Sequence, residues 1–318
     1  MEQRCLYCYE PLASGETDFH PKCSRKMFGT PTPPLLPYDE HQLDDLALEV
    51  IRSHTAITGV QPKLSLHLAS AGKKRAPQRF TIVGLWGGYI LKPPSERFAQ
   101  LPEIEDLTMH MAAALRIATV PHTLIRMQSG NLAYLTRRID RTRKSKLHME
   151  DMCQITGRLT ENKYDGSYEQ IAKAILRHSA NPRLDVINFF EVVLFCFLTG
   201  NADMHLKNFS LIDIPEREGF CLAPAYDLLS TALVIPADDE DLALTLNGKK
   251  KRITRKDFTT AMTTLGVDEV VQDRMFRKFG KARPALEHLI DKSFFDKELK
   301  QAYKELIVRK YKQVRLDS

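Results

Sequence analysis

Apolar positions change period along the chain, and the changes mark out its organisation. From Asp39 they recur at helical spacing, with Leu43, Leu46, Ala47, Val50 and Ile51 on one face. Between Lys63 and about Pro93 the period falls to two. Leu64, Leu66 and Leu68 alternate with polar neighbours, short apolar runs follow at 80–83 and 89–92, and a small antiparallel sheet is predicted. A helix should start near Pro102, a favoured first helical residue, and run to Ala118 with Leu107, Met111 and Leu115 on one face. Two more strands are expected near 122–127 and 132–137. Beyond Met149 the spacing is almost wholly helical, through 168–178, 186–199 and the long stretch 268–314. The pattern therefore predicts an α+β fold with two lobes, an N-lobe over 38–148 built on an antiparallel sheet and a mostly α-helical C-lobe over 149–318. No internal repeat is evident.

Residues 1–37 follow neither period. Cys5, Cys8, His20 and Cys23 form the pattern C-x2-C-x11-H-x2-C, two close donor pairs suited to tetrahedral zinc; the plain alternative is free thiols and a surface histidine. Four protein ligands would make the site structural, because a catalytic zinc keeps one position open. Four prolines within 30–37 predict a stiff, extended linker after this clip.

Composition narrows the class. With 43% hydrophobic and 27% charged residues the chain of 318 residues is globular rather than disordered. Its longest strongly apolar run, 192–198, falls far short of the ~20 residues that span a bilayer, so no membrane segment is expected. The start has no apolar core behind its basic residue, and a cytoplasmic location is expected. Six cysteines are too sparse for a disulfide scaffold, and Cys153, Cys196 and Cys221 read as core. The 46 Lys and Arg against 40 Asp and Glu give only +6.

Candidate chemistry concentrates in Asn201-Ala-Asp203-Met-His205-Leu-Lys207-Asn208. An Asp followed five residues later by an Asn, with His205 and Lys207 between them, has the spacing of a phosphotransferase catalytic loop. Asp203 can orient and deprotonate a hydroxyl, the Asn208 amide oxygen can ligate Mg2+, and Lys207 can bring positive charge to a transferring phosphoryl group. Asp227, after the short apolar strand 220–223, supplies the second acidic ligand that Mg·ATP needs. Upstream, Lys92 ends an apolar strand, where a phosphate-binding lysine would stand. Glu103 or Glu105 on the next helix could pair with it, and Glu105 is preferred. The loop Thr58-Gly59-Val60-Gln61-Pro62-Lys63 lies where a nucleotide-covering loop should be, although it has a single glycine.

Taken together these motifs resemble the HipA family of serine/threonine kinases, the toxins of bacterial type II toxin–antitoxin modules. The matching runs are T-G-V-Q-P-K at 58–63, I-L-K-P at 90–93, L-P-E-I-E at 101–105, R-R-I-D-R at 137–141, E-D-M-C-Q at 150–154, K-Y at 163–164, N-A-D-M-H-L-K-N-F-S at 201–210 and P-A-Y-D-L-L-S at 224–230. The resemblance implies a two-lobed, protein-kinase-like fold and transfer of the ATP γ-phosphoryl group to a protein hydroxyl, with aminoacyl-tRNA synthetases as the family's known targets. It implies that Lys92 binds phosphate, Asp203 is catalytic, and Asn208 and Asp227 hold Mg2+. Arg137, Ile139 and Asp140 would meet adenine and ribose, and Tyr226 joins the cofactor-binding set with Thr58, Gly59, Val60, Gln61, Lys63 and Glu105.

Two features depart from the family pattern. The extra N-terminal domain of full-length members has no counterpart ahead of the loop, so the length resembles the short HipT kinases of three-part modules. These work beside a small separate protein that supplies the domain, and a helix-turn-helix antitoxin through which any DNA contact would be indirect. The loop also lacks the family's serines, leaving Thr58 as the candidate autophosphorylation site. Two other readings stay open: a zinc-containing nucleic-acid-binding regulator using the basic runs at 137–146 and 249–256, and a pseudokinase partner.

Overall fold

The alternation at 64–69 is realised as a strand, β1 (Leu64–Ala69), with Leu64 and Leu66 buried on one side. It pairs with β2 (Arg79–Ile82) and β3 (Tyr89–Lys92), and β3 pairs with β5 (Leu132–Arg137), which pairs with β4 (His122–Arg126). The result is a fully antiparallel five-stranded sheet of order β2-β1-β3-β5-β4. The computed structural model describes residues 3–43, 45, 63–69, 78–83, 87–142 and 145–316. Leu46, Ala47, Val50 and Ile51 of the first expected helix lie outside these residues, as do Thr58, Gly59, Val60 and Gln61.

The chain forms two compact units: Met1–Asp106 with Val120–Ile139 and Lys292–Phe294, and Leu107–Thr119 with Asp140–Asp291 and Phe295–Ser318. In the first unit one face of the sheet shares a core with the N-terminal segment. Leu64, Leu66, Phe80, Leu91, Leu124 and Leu135 pack with Cys5, Leu6, Cys23, Met27 and Phe28. Phe28, on the short helix Pro21–Phe28, meets Phe19 and Phe80 edge-on at 5.4 and 6.1 Å. The helix stops because Gly29 turns left-handed, with φ of 81°. Residues 30–37, expected as a linker, are extended but docked. The Leu35 amide donates to the Gln78 carbonyl, and the Phe80 amide to the Leu35 carbonyl, covering the free edge of β2.

The second unit is mostly helical. Its centre is the helix Pro182–Thr199, buried on nearly every side from Phe189 to Thr199, as a continuous apolar run requires. Tyr168–His178, opened by a Ser167/Gln170 capping box, precedes it in sequence, and both that helix and Lys297–Gln313 pack against it. A three-stranded antiparallel sheet interrupts the helices, in the order β6 (Met149–Asp151), β7 (Ser210–Ile214), β8 (Gly219–Leu222). The three single cysteines, Cys153, Cys196 and Cys221, are buried. Among the described residues no helix is long and apolar enough to cross a membrane.

Two expected elements end elsewhere. The helix predicted to reach Ala118 is Leu101–Ala114, because Arg116 takes the left-handed conformation (φ 58°) and the Ile117 amide closes back on the Ala112 carbonyl. The stretch 268–314 is three helices, Glu269–Gly280, Arg283–Lys292 and Lys297–Gln313, the last restarted by Asp296, whose carboxylate accepts from the Leu299 amide at 2.7 Å.

Gly200 ends the central helix at φ 68°, and a Cβ there would lie 2.8 Å from Leu306 Cδ2 and 2.9 Å from Ala232 Cβ. Gly200→Ala therefore adds a left-handed penalty to a clash, and should cost about 2–4 kcal/mol. A urea unfolding midpoint equal to wild type would contradict this.

Candidate functional site

In the first unit, β3 and β5 pair Lys92 with Tyr134, so the lysine stem leaves the sheet over an aromatic face, with Nζ 5.4 Å from the ring centroid. Lys92 is 4% exposed. Of the two candidate carboxylates, Glu105 meets it: Nζ to Oε1 is 2.5 Å, and Glu105 is as buried as its partner. Glu103 stands apart from the pair, and burial pushes its carboxyl up to about 7. A buried ion pair is costly to break from one side, by ~3–5 kcal/mol, so Lys92 and Glu105 fix each other's rotamers.

Next to Glu105, Asp106 is fully buried. Its Oδ2 accepts from the Tyr9 hydroxyl at 2.7 Å, and Oδ1 lies 2.8 Å from His122 Nδ1. The His122 ring stacks on Tyr134, the ring under the Lys92 ammonium, at 6.1 Å between centroids. Lys63 is exposed at the start of β1, and Arg137 lies opposite Tyr89 at the end of β5 with its amide on the Pro121 carbonyl. Ile139 follows as the last residue of the unit's second segment.

The four N-terminal donors converge. One ligand atom from each of Cys5, Cys8, His20 and Cys23 lies within 4.8 Å of all the others. His20 Nδ1 is 3.4 Å from Cys8 Sγ and 3.8 Å from Cys23 Sγ. Zn–S bonds near ~2.3 Å and Zn–N bonds near ~2.0–2.1 Å in a tetrahedron give edges of roughly 3.5–3.8 Å, so the donor set fits that ion. His20 Nε2 is 2.9 Å from the Pro11 carbonyl, which favours the tautomer with Nδ1 bare toward the thiols. His20 is the cap residue and Cys23 lies in the first turn of Pro21–Phe28. Burial first, and then the neighbouring thiols, push the Cys23 thiol up, and burial raises Cys8 as well, so their deprotonation relies on a bound cation.

In the second unit the Gly200 turn delivers the chain into the loop 201–209. Thr231 Oγ1 takes the Ala202 amide at 2.8 Å, and the Asp203 amide donates to Asn201 Oδ1 at 3.0 Å. The Asp203 carboxylate accepts from the Tyr164 hydroxyl at 2.5 Å. Asn208 is buried, and its side-chain NH2 donates to the Asp203 carbonyl at 2.9 Å, which leaves the amide oxygen as its ligand face. Asp203 and Asn208 are thus brought together by the backbone between them. Asp227 follows Tyr226 and holds φ of 55°, a strained position that Asp tolerates better than most residues.

Lys207, Tyr226 and Asp140 are each held by neighbours within the second unit. The Lys207 ammonium pairs with Asp151 Oδ2 at 2.7 Å, while Asp151 Oδ1 caps the helix Met152–Ile155. The Tyr226 hydroxyl lies 2.5 Å from Ser210 Oγ and donates to the Lys207 carbonyl, tying the two loops together; burial raises its pKa. Asp140 is buried, with its carbonyl taking the Leu147 amide. Tyr164 and Asp151 were visible in the sequence only as members of the K-Y and E-D-M-C-Q runs. A separate concavity of about 600 Å³, lined by Asp239, Asp241, Lys251 and Arg252 among others, shares none of these residues.

His205 is buried with its ring edge-on to Tyr164 at 5.0 Å between centroids, and its Nδ1 has no hydrogen-bond partner among the described residues. Burial lowers its pKa from 6.5 to about 4; the Asp203 carboxylate opposes that shift and Lys163 adds to it. The folded form then binds fewer protons than the unfolded one between those values, so stability falls as pH drops through this window, by roughly 3 kcal/mol in full. In urea titrations from pH 7 to 4.5, which cover most of the window, His205→Gln should flatten the loss by about 2 kcal/mol; an unchanged slope would exclude a neutral, buried His205.

Residues 55–290 match the family model described as the HipA-like C-terminal domain. The chain is 33% identical over 227 residues to the provisionally named kinase Y4dM of Sinorhizobium fredii, covering 68% of this chain and 54% of the relative. It is 28% identical over 195 residues to the serine/threonine-protein kinase toxin HipA of Shewanella oneidensis, covering 55% and 43%. The chain spans about half the length of the curated relatives it matches. In structure it is similar to the Shewanella oneidensis chain solved as the toxin–antitoxin complex of HipA, HipB and operator DNA, with a TM-score of 0.67 and 20% identity over 95% of this chain and 79% of that one. The fold is therefore the kinase-like one of that protein.

Proposed function

We propose that this chain, which belongs to the HipA-like C-terminal domain family, is a kinase that transfers the γ-phosphoryl group of Mg·ATP to a serine or threonine of a protein. The observation that carries the reading is the 203–208 turn, in which a carboxylate oriented by Tyr164 and an amide oxygen freed by its own backbone clamp are presented five residues apart. Phosphoryl transfer needs little covalent chemistry from the protein, so such positioning is most of what an enzyme contributes.

In this reading Lys92, held by Glu105, binds the nucleotide phosphates. Asp203 accepts the proton of the attacking hydroxyl. Asn208 and Asp227 would hold Mg2+, which neutralises charge on the phosphates when bound. Lys207 serves by fixing Asp151 and the loop, and Tyr226 by joining 207 to 210, rather than by touching nucleotide. Arg137, Ile139, Asp140 and Lys63, with the loop 58–61, complete the proposed nucleotide set, and Thr58 is the proposed autophosphorylation site. The name of the Shewanella oneidensis relative supports a toxin role, and HipB in the similar complex supports an antitoxin partner. The family resemblance extends the proposal to a translation enzyme such as an aminoacyl-tRNA synthetase as target, a helix-turn-helix antitoxin, a small separate N-domain-like protein and action in the cytoplasm.

One of the two basic runs behind the nucleic-acid reading is partly neutralised. In the run 249–256, Lys249 pairs with Asp257 at 2.9 Å, Lys251 with Asp239, and Arg255 with Asp273 at 3.4 Å. Basic side chains neutralised by their own neighbours are a weak footprint for polyanions.

Incubating a lysate with γ-labelled ATP should give a labelled protein band with wild type and none with Asp203→Ala. Tyr164→Phe should keep the band and lower kcat about tenfold with KM for ATP little changed, because the phenol orients the base without touching nucleotide. Mg·ATP should raise the Tm of wild type and not of Asp227→Ala. Equal labelling by Asp203→Ala, or Mg·ATP stabilisation that survives Asp227→Ala, would reject the assignment.

A further inference from the structure

We propose that the N-terminal cluster Cys5, Cys8, His20 and Cys23 binds one structural Zn2+, and that the ion, through Tyr9 and Asp106, sets the geometry of the Lys92–Glu105 pair. The second half rests on the kinase reading only for what Lys92 binds; the metal site and its link to the helix stand on geometry within the first unit.

The link begins in the knuckle. The Cys5 amide donates to the Glu10 carbonyl, and the Tyr9 amide donates back to the Cys5 carbonyl, both at 2.9 Å, so residues 5–10 form a closed turn around the first ligand pair. Tyr9, the residue after the second ligand, is left-handed with φ of 64°, a conformation that costs a bulky residue energy and persists only if its surroundings impose it. A metal drawing Cys5 and Cys8 onto one centre is such a constraint. The turn sends the Tyr9 side chain inward, fully buried, to Asp106 at 2.7 Å.

Asp106 adjoins Glu105 in the first turns of Leu101–Ala114. Pinning Asp106 from one side by Tyr9 and from the other by His122 fixes the rotation of that helix start, and hence the direction in which Glu105 points. The clip is itself fastened to the sheet. The Leu6 carbonyl takes Thr123 Oγ1 at 3.1 Å, and Asp18 takes the Arg126 guanidinium through Nε at 3.0 Å and through NH2 at 2.8 Å. Binding is balanced by release of three thiol protons to solvent, leaving a Zn(Cys)3His centre of net charge −1.

The test uses the full chain. Plasma mass spectrometry should find one zinc per chain, and Cys8→Ser with Cys23→Ser should lose it. Removing the metal with a strong chelator should lower the Tm and weaken Mg·ATP binding in calorimetry tenfold or more, with zinc re-addition restoring both. Tyr9→Phe should keep the zinc and still weaken Mg·ATP binding about fivefold or more, separating the link from the fold of the clip. Hydrogen exchange at amides 101–106 should speed up in stripped protein and in Tyr9→Phe. If loaded wild type binds no nucleotide, the kinase reading fails, while zinc content and exchange at 101–106 still decide this proposal. Protein without zinc, or exchange at 101–106 indifferent to chelation and to Tyr9→Phe, overturns it.

Discussion

Lys92 can be buried only because Glu105 meets it. An ammonium without a partner at 4% exposure would pay a desolvation cost that few folds of this size could carry. The requirement reaches outward through the first unit. Glu105 must leave its helix at one angle, so the helix start must be held. Asp106 holds it, and Asp106 is a second buried carboxylate that needs donors of its own. Tyr9 and His122 supply them, and the segment ahead of the sheet shares the sheet's core. The ring of Tyr134 closes the set by facing both the Lys92 ammonium and His122.

The second unit solves a different problem with the same economy. Its candidate acid must stay accessible, so it cannot be oriented by burial, and backbone geometry does the work instead. Gly200 permits the sharp exit from a fully buried helix, Thr231 catches the next amide, and Asn208 clamps the Asp203 carbonyl from the far end of the turn. Each tether is a single hydrogen bond of modest net worth, roughly 1 kcal/mol, but together they leave the loop few alternatives.

Much of this was legible in the sequence, and the illegible part has a physical reason. Period-two alternation announced β1, whose buried residues alternate, short apolar runs announced β2 and β3, and continuous apolarity announced the helix Pro182–Thr199 because all its faces are buried. Strand β6 gave no such signal: its three residues are all half-buried and carry no alternation. The end of Leu101–Ala114 was missed because Arg116, not a glycine, takes the left-handed position. Candidate donors and acids stood out because their chemistry is local, a few residues apart. The Tyr9, Asp106 and His122 network did not, since its members are separated by 97 and 16 positions and none carries a motif. Glu105 was already preferred over Glu103 in the sequence, and the structure pairs it with Lys92 at 2.5 Å.

The bond between Tyr164 and Asp203 shows how a site residue can be held without being consumed. Burial first, and then the Asp203 carboxylate, raise the Tyr164 pKa, so the phenol stays protonated and remains a donor across the physiological range. A permanent donor on one carboxylate oxygen fixes the plane of the group and leaves the second oxygen to accept another proton. In the proposed phosphoryl transfer, where the hydroxyl's proton need move only late, such orientation is most of what the group contributes. His205, neutral and edge-on to the same phenol, supports the arrangement by packing, so the loop needs no second charge to keep its acid in place.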